Sequence, residues 1–185
     1  GIGPAFADKT ARLGIRAGDL LNKEGFLEQL RPVLAYKNKL LTKIYGAEPL
    51  SFDEVYKQFC QYGEHLSPYI KDSVAVIQAA LEKDELIILE GAQGAMLDTD
   101  FGTYPYATSS SPLAGGACLG SGISPTKIDR LLGVYKAYCT RVGAGPLPPE
   151  LTDETGDRIR NRAHEFGTTT GRPRRCGWFD AVAGR

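Results

Sequence analysis

The sequence predicts an α/β fold, and three observations carry that reading. Helical hydrophobic periodicity fills the first half, a short β-type apolar run opens the second, and an alternating run rich in tyrosine, valine and threonine follows it. The chain has 185 residues, 42% hydrophobic and 24% charged, with 22 Lys and Arg against 22 Asp and Glu. That balance lies in the globular range, and the length is enough to bury a core. A net charge of zero argues against a general nucleic-acid or membrane binder. No apolar run reaches the ~20 residues of a membrane span, and the opening GIGPAFADKTAR lacks the order of a secretory signal. The expected setting is soluble and cytoplasmic, with no nucleic-acid and no membrane partner.

The elements follow in order. From Lys23 to Tyr45, the apolar residues Phe26, Leu27, Leu30, Val33, Leu34, Leu40, Leu41 and Ile44 recur as one buried helix face, with Pro32 able to bend or interrupt it. Ser51 followed by Glu54 is a capping-box signature. It opens a second pattern through Phe52, Val55, Phe59, Leu66, Ile70, Val74 and Ile77 to about Lys83, which Pro68 should split or kink. The run ELIILE then reads as a strand that empties into a glycine-rich region, and no lysine or arginine occurs from Asp84 to Thr126. Ser124 and Pro125 should open a short helical turn, and LLGVYKAYCTRV reads as a strand. Thr152, Asp153 and Glu154 suit the first turn of a helix reaching His164 or Glu165, with Gly167 as its C-terminal cap. The chain thus divides into a mainly helical part, 1–83, and a strand-and-loop part, 84–185. It opens on Gly1 rather than Met and closes after WFDAVAGR, an amphipathic opening without a stop signal, which reads as a piece of a longer polypeptide.

Three stretches carry chemistry. In FGTTTGRPRRCGW, Arg172, Arg174 and Arg175 crowd onto a path set by Gly167, Gly171, Pro173 and Gly177. Guanidinium forks suit carboxylates and phosphates, and neighbouring threonine hydroxyls add short donors to the same oxygens. Three cations this close repel one another, so the loop is expected to be mobile when empty and ordered by an anion. In EGAQGAMLDTDFGTYPYATSS, the Gln93 amide can both donate and accept toward one edge of a purine-like base, and Gly91 and Gly94 allow close backbone approach. The hydroxyl run Thr108, Ser109, Ser110 and Ser111 suits phosphate oxygens, although such runs are often plain loops. Asp98 and Asp100 are two carboxylates without a third ligand, weak support for a metal. In DKTARLGIR, Arg12 and Arg16 are four apart and would share a helix face.

Several chemistries find no residues to carry them. There is no G-x-x-x-x-G-K-[ST] and no Gly-Lys pair, hence no Walker-type triphosphate loop. No Ser/His/Asp arrangement can be assembled. Cys60, Cys118, Cys139 and Cys176 show no C-x-x-C spacing and read as free thiols, and no metal site is expected. Cys176, beside Arg175, reads as a small apolar residue in a turn.

GIGPAFADKTAR, EGAQGAMLDTDFGTYPYATSS, TRVGAGP and EFGTTTGRPRRCGWFD resemble, in order and spacing, the central part of the adenylosuccinate synthetase family, across essentially the whole chain. The resemblance implies an incomplete mixed sheet with flanking helices, an excerpt of that family's P-loop-type fold. It implies a homodimeric ligase of AMP biosynthesis that joins inosine monophosphate and L-aspartate, using GTP and magnesium. The family first phosphorylates the 6-oxygen of inosine monophosphate, and the aspartate amino group then displaces that phosphate.

By the same resemblance, Gln93 would hold the 6-oxygen side of the hypoxanthine ring and Thr108 the 5′-phosphate. Arg12 would reach that phosphate from the neighbouring subunit, and the Val142 backbone would meet the ribose. Thr168, Thr169, Thr170, Gly171, Arg172, Pro173 and Arg174 would close over aspartate, with Arg172 near its carboxylate and the ribose. Arg174 would face the nucleotide phosphates and so serve GTP as well. No catalytic residue, magnesium ligand or guanine-recognition segment of the family falls within the matching stretches. The isolated chain is therefore expected to recognise substrate without turning over. The alternative is a non-catalytic anion- or nucleotide-binding module that uses the same arginine-rich loop.

Overall fold

Asn22 starts the longest element. Its side-chain oxygen accepts the Gly25 amide at 3.1 Å, an N-cap that satisfies one of the open donors of a first helical turn. In a computed structural model of the chain, which describes residues 2–168 and 171–185, this helix runs Lys23–Lys43. It is the second of six: α1 (Ile2–Ala11), α2 (Lys23–Lys43), α3 (Phe52–Leu66), α4 (Ser73–Glu82), α5 (Ala114–Ser121) and α6 (Glu154–Arg162). Two short strands, β1 (Tyr138–Arg141) and β2 (Arg175–Trp178), complete the described elements. The chain forms two units, Gly1–Ile88 and Leu89–Arg185.

In the first unit the apolar spacing of α2 is realised as a narrow stripe. Phe26, Leu30 and Leu34, four apart, are buried, and Phe52, Val55, Tyr56 and Cys60 of α3 pack against them. Phe26 stacks on Tyr56 with ring centroids 5.6 Å apart. Pro32 lies on the exposed side of α2, and the helix continues through it. Ser51 caps α3 by accepting the Glu54 amide at 3.4 Å. A 3-10 turn at Ser67–Tyr69 separates α3 from α4, so Pro68 divides the long pattern as expected. Asp72 then caps α4, accepting the Val74 amide at 2.9 Å.

Three expectations fail here. Val74 and Val76 of α4 are exposed, so that helix has regular hydrogen bonds but no buried face. ELIILE is not a strand; Leu86 is 90% exposed, and no strand among the described residues pairs with it. Strand hydrogen bonds cross to a neighbour, so a β-type sequence without one has nothing to pair with. Arg12 and Arg16 share no helix face, because α1 ends at Ala11, Arg12 turns left-handed at φ 62°, and Arg16 precedes a 3-10 turn at Ala17–Leu21.

The second unit is built on β1 and β2, which pair antiparallel with Tyr138 opposite Trp178 and Arg141 opposite Arg175. The expected strand from Leu131 to Val142 is thus confined to four residues, and Leu131, Leu132 and Val134 are exposed. The segment around Glu150 flanks β2: the Trp178 amide donates to Pro149 O and the Leu151 amide to Cys176 O, both at 2.9 Å. Gly177 permits this approach, since a β-carbon there would collide with the Pro149 carbonyl. Cys176, at 0% exposure, is the centre of this small core. Burial pushes its thiol above the usual range, so it is packing material and not a reactive group.

Helix α6 starts as the sequence indicates, Asp153 accepting the Gly156 amide at 3.1 Å. It ends earlier than expected, at Arg162, with His164 rather than Gly167 taking the left-handed position at φ 52°. Among the described residues, no helix is long and apolar enough to cross a membrane. Since Phe26 fills the centre of the first unit, Phe26→Ala should lower that unit's stability by about 3–5 kcal/mol in urea unfolding followed by far-UV dichroism.

Candidate functional site

The glycine-rich exit begins at Gln93, whose backbone sits at φ 66°, a conformation that costs a side-chain-bearing residue on the order of 1 kcal/mol. Its side chain is exposed, and its Oε1 accepts the Ser110 hydroxyl at 3.3 Å. Ser110 Oγ in turn lies 3.1 Å from Thr108 Oγ1. Gln93 and Thr108, fifteen positions apart in sequence, are therefore joined through one hydroxyl. The Thr108 amide donates to Leu97 O at 2.7 Å, which folds the hydroxyl run back onto the turn that follows Gln93. Asp98 is buried and caps the same turn, accepting the amides of Asp100 and Phe101 at 2.9 and 3.0 Å. Its carboxylate is thus committed to backbone donors. The described residues form no group of three or more His, Cys, Asp or Glu that could hold a metal ion.

The arginine-rich loop stands on a hairpin stem. Phe166 bridges Pro173, the Gly167 amide donates to Arg172 O at 2.9 Å, and the Arg174 amide donates to Glu165 O at 2.9 Å. Gly171, at φ 62°, donates its amide to Gly167 O at 2.7 Å. Thr168 is exposed at the end of the stem, and Arg172 and Pro173 are exposed on its return side. Thr169 and Thr170 lie outside the described residues.

Glu165, 3% exposed, anchors this stem through its side chain. It accepts Tyr138 Oη at 2.6 Å and Arg174 Nη1 at 2.7 Å, and it pairs with Lys136. Burial by itself would raise its pKa, but the hydrogen bonds from Lys136, Tyr138 and Arg174 outweigh burial and hold the carboxyl at about 2. Tyr138 is pushed the other way, to about 12, by its hydrogen bond to Glu165 and by burial. One negative charge thus meets two positive ones, and the stem keeps a surplus of positive charge.

Arg175 is engaged differently. It forms a two-pronged pair with Glu150, its Nε donating to Oε1 at 2.8 Å, and its Nη1 donates to Gly145 O at 2.7 Å. Arg174 pairs with Glu165 and Arg175 with Glu150, which offsets part of the repulsion expected within the arginine-rich stretch. Val142, 66% exposed, opens the turn that Arg175 holds. Arg141, 8% exposed, holds the same turn by donating Nε to Ala144 O at 2.9 Å, and donates Nη2 to Thr103 Oγ1 and Tyr106 O at 3.0 and 2.8 Å.

A continuous set of contacts therefore runs from Gln93 and Thr108 through Arg141, the Val142 turn and Arg175 to the arginine-rich stem. Arg12 belongs to the first unit, where its Nη1 donates to Thr10 O at 2.8 Å. The residue-type reading did not single out Arg141, Glu150 or Glu165. The sequence carried one signal for Arg141: the stretch from Asp84 to Thr126 holds the hydroxyl run but no lysine or arginine, so a cation beside that run comes from another part of the chain.

These features define a mixed α/β chain that displays an amide, a hydroxyl run and an arginine-lined stem on one connected polar framework. The family profile described as adenylosuccinate synthetase matches residues 1–185, so the chain belongs to the adenylosuccinate synthetase family. It is 62% identical to the adenylosuccinate synthetase of Dehalococcoides mccartyi over 100% of its own length and 44% of that protein. Against the Limosilactobacillus reuteri enzyme the identity is 55%, over 43% of that protein. The chain thus spans less than half the length of these curated relatives. A solved structure of fully ligated adenylosuccinate synthetase from Plasmodium falciparum is similar with a TM-score of 0.87 and 41% identity, covering 97% of this chain and 41% of that one.

The depressed pKa of Glu165 has a pH signature. Its ionised carboxylate contributes stability that is fully present above the ordinary value of 4.5 and is lost as pH falls through about 2. The stability gap between the native chain and Glu165→Gln should therefore shrink by roughly 3 kcal/mol from about pH 5 to about pH 2, measured by urea unfolding of the β1–β2 unit.

Proposed function

We propose that this chain is the substrate-recognition portion of an adenylosuccinate-forming ligase, which joins inosine monophosphate to L-aspartate at the expense of GTP in AMP biosynthesis. The observation that carries the reading is the hydrogen-bond chain Gln93–Ser110–Thr108, which joins a base-reading amide to a phosphate-reading hydroxyl. The Gln93 carboxamide addresses the 6-oxygen side of the purine, and the Thr108 hydroxyl addresses the 5′-phosphate. The Val142 backbone meets the ribose. Thr168 to Arg174 close over aspartate, with Arg172 near its carboxylate and Arg174 toward the nucleotide phosphates.

The chemistry fits this division of labour. The substrates bring a phosphate, two carboxylates and a triphosphate together, and their mutual repulsion has to be offset before the amine can reach the purine carbon. The stem keeps a surplus of positive charge around Glu165, and Arg172 stands beyond it. Charge neutralisation and positioning supply most of what such reactions need. We place Arg12 at the phosphate of a neighbouring subunit in a homodimer, and the whole in the cytoplasm.

Magnesium finds no ligand cluster among the described residues, and the sequence holds no Gly-Lys phosphate loop for GTP. We assign this chain recognition of inosine monophosphate and aspartate, and expect the 185 residues alone to bind without turning over. The division into a helical part and a substrate-binding part belongs to the same proposal, with the site carried by 84–185.

Titration calorimetry tests it. The chain should bind inosine monophosphate, and Gln93→Ala should weaken that binding by about tenfold, the loss expected for one hydrogen-bonding side chain at a polar site. Equal binding of unrelated polyanions by both proteins, with a steep dependence on salt, would favour the non-specific anion-binding alternative.

A further inference from the structure

Within the second unit, segment 89–126 carries Glu90, Asp98 and Asp100 but no lysine or arginine. A dianionic phosphate approaching Thr108 therefore meets a loop that is acidic by composition. Hydroxyl and amide dipoles alone are weak compensation for two negative charges, so the site needs a cation delivered by another part of the fold.

The structure delivers Arg141. Its Nη2 donates to Thr103 Oγ1 at 3.0 Å and to Tyr106 O at 2.8 Å, two residues before Thr108, while its Nε holds Ala144 O at 2.9 Å in the turn that begins at Val142. Thr103 Oγ1 in turn lies 3.2 Å from Tyr106 O and from Met96 O, so the guanidinium braces the same bend that presents the hydroxyl run. These three acceptors are neutral, and Arg141 forms no ion pair with a carboxylate among the described residues. An arginine that is 8% exposed as a residue and lacks a carboxylate partner keeps its positive field for an anion bound nearby. Arg174 and Arg175 differ, since each has a carboxylate.

The site is shaped for this side chain. Gly145 lies at φ 104°, and a β-carbon there would collide with Arg141 Nη2 and would come within 2.7 Å of Tyr106 Cβ. Gly145 thus lets the guanidinium pass between the turn and the 103–106 bend.

We infer that Arg141 is a positioning and specificity residue of the mononucleotide site: it braces the Thr103–Tyr106 bend beneath the hydroxyl run and supplies the buried positive charge by which the site prefers a nucleoside 5′-monophosphate over the uncharged nucleoside. The inference rests on the proposed binding of inosine monophosphate near Thr108. It adds a residue that touches no ligand atom and acts through the loop it holds and through its field.

Calorimetry with inosine monophosphate and with inosine, on the 185-residue chain, Arg141→Gln, Arg141→Lys and Gly145→Ala, tests it, with far-UV dichroism reporting the fold of each. Arg141→Gln should lose at least about tenfold in affinity for the monophosphate, the loss expected when one unit charge near an anion is removed, while inosine binding changes by less than about twofold. Arg141→Lys should recover most of the preference for the charged ligand, because it keeps the charge without the fork. Gly145→Ala leaves the charge count unchanged but displaces the guanidinium, and should weaken the monophosphate in the same direction. A merely structural Arg141 would weaken both ligands alike in Arg141→Gln, with no rescue by lysine, and that result overturns the inference. Unchanged monophosphate binding in a folded Arg141→Gln overturns it too, while the substrate reading survives. Failure of the native chain to bind either ligand removes the substrate reading itself, and the inference with it.

Discussion

The second unit depends on one buried carboxylate. Glu165 gathers Lys136 and Tyr138 from the approach to β1 and from its first residue, and Arg174 from the residue before β2, so that three donors from two distant stretches of chain converge on two oxygens. Burying a carboxylate costs several kcal/mol on the order of a lost core side chain, and only multiple charged donors offset that cost. Remove any one, and the rest hold a poorly compensated charge. The same residue's backbone carbonyl receives the Arg174 amide, so electrostatics and the hairpin stem reinforce each other at one point. The arginine-rich loop is thereby tied at both ends of its stem to a framework that ligand binding need not build.

From that anchor the polar framework extends by shared arginines. Arg175, next to Arg174, sets its fork on Glu150 and donates its other terminal nitrogen to the carbonyls of Gly143 and Gly145. Arg141, opposite Arg175 in the sheet register, grips the same turn at Ala144 O and reaches the bend before the hydroxyl run. Two neighbouring strand residues thus project two guanidiniums into loops that the sheet itself does not contain. A four-residue strand pair has little core of its own, so these side chains carry much of the task of positioning the loops.

What could be read from the sequence was local. The caps at Ser51, Asp153 and Ser124 and the break at Pro68 appear where the residues indicate, because each depends on a neighbour within a few positions. The Phe26–Leu30–Leu34 stripe was legible for the same reason: helical periodicity encodes its own buried face. ELIILE has β-type composition but forms no strand, because a strand exists only with a partner and composition does not supply one. Helix α6 ends before the position glycine would mark, because His164 adopts the left-handed conformation itself. At the site, Gln93 and Thr108 could be picked out as residue types, but their link through Ser110 is a matter of geometry. Glu165 stayed hidden because a lone glutamate at a helix end reads as solvent-facing. Its partners at Lys136 and Tyr138 lie 29 and 27 positions away.

The most direct measurement is a carbon-13 titration of the Glu165 side-chain carboxyl by nuclear magnetic resonance. If three donors hold that group ionised in the interior, its resonance should titrate with a midpoint near pH 2, well below the ordinary carboxylate value of 4.5. A midpoint at or above 4.5 would show the carboxyl solvated or unpaired, and the stem would then lack the anchor assigned to it here.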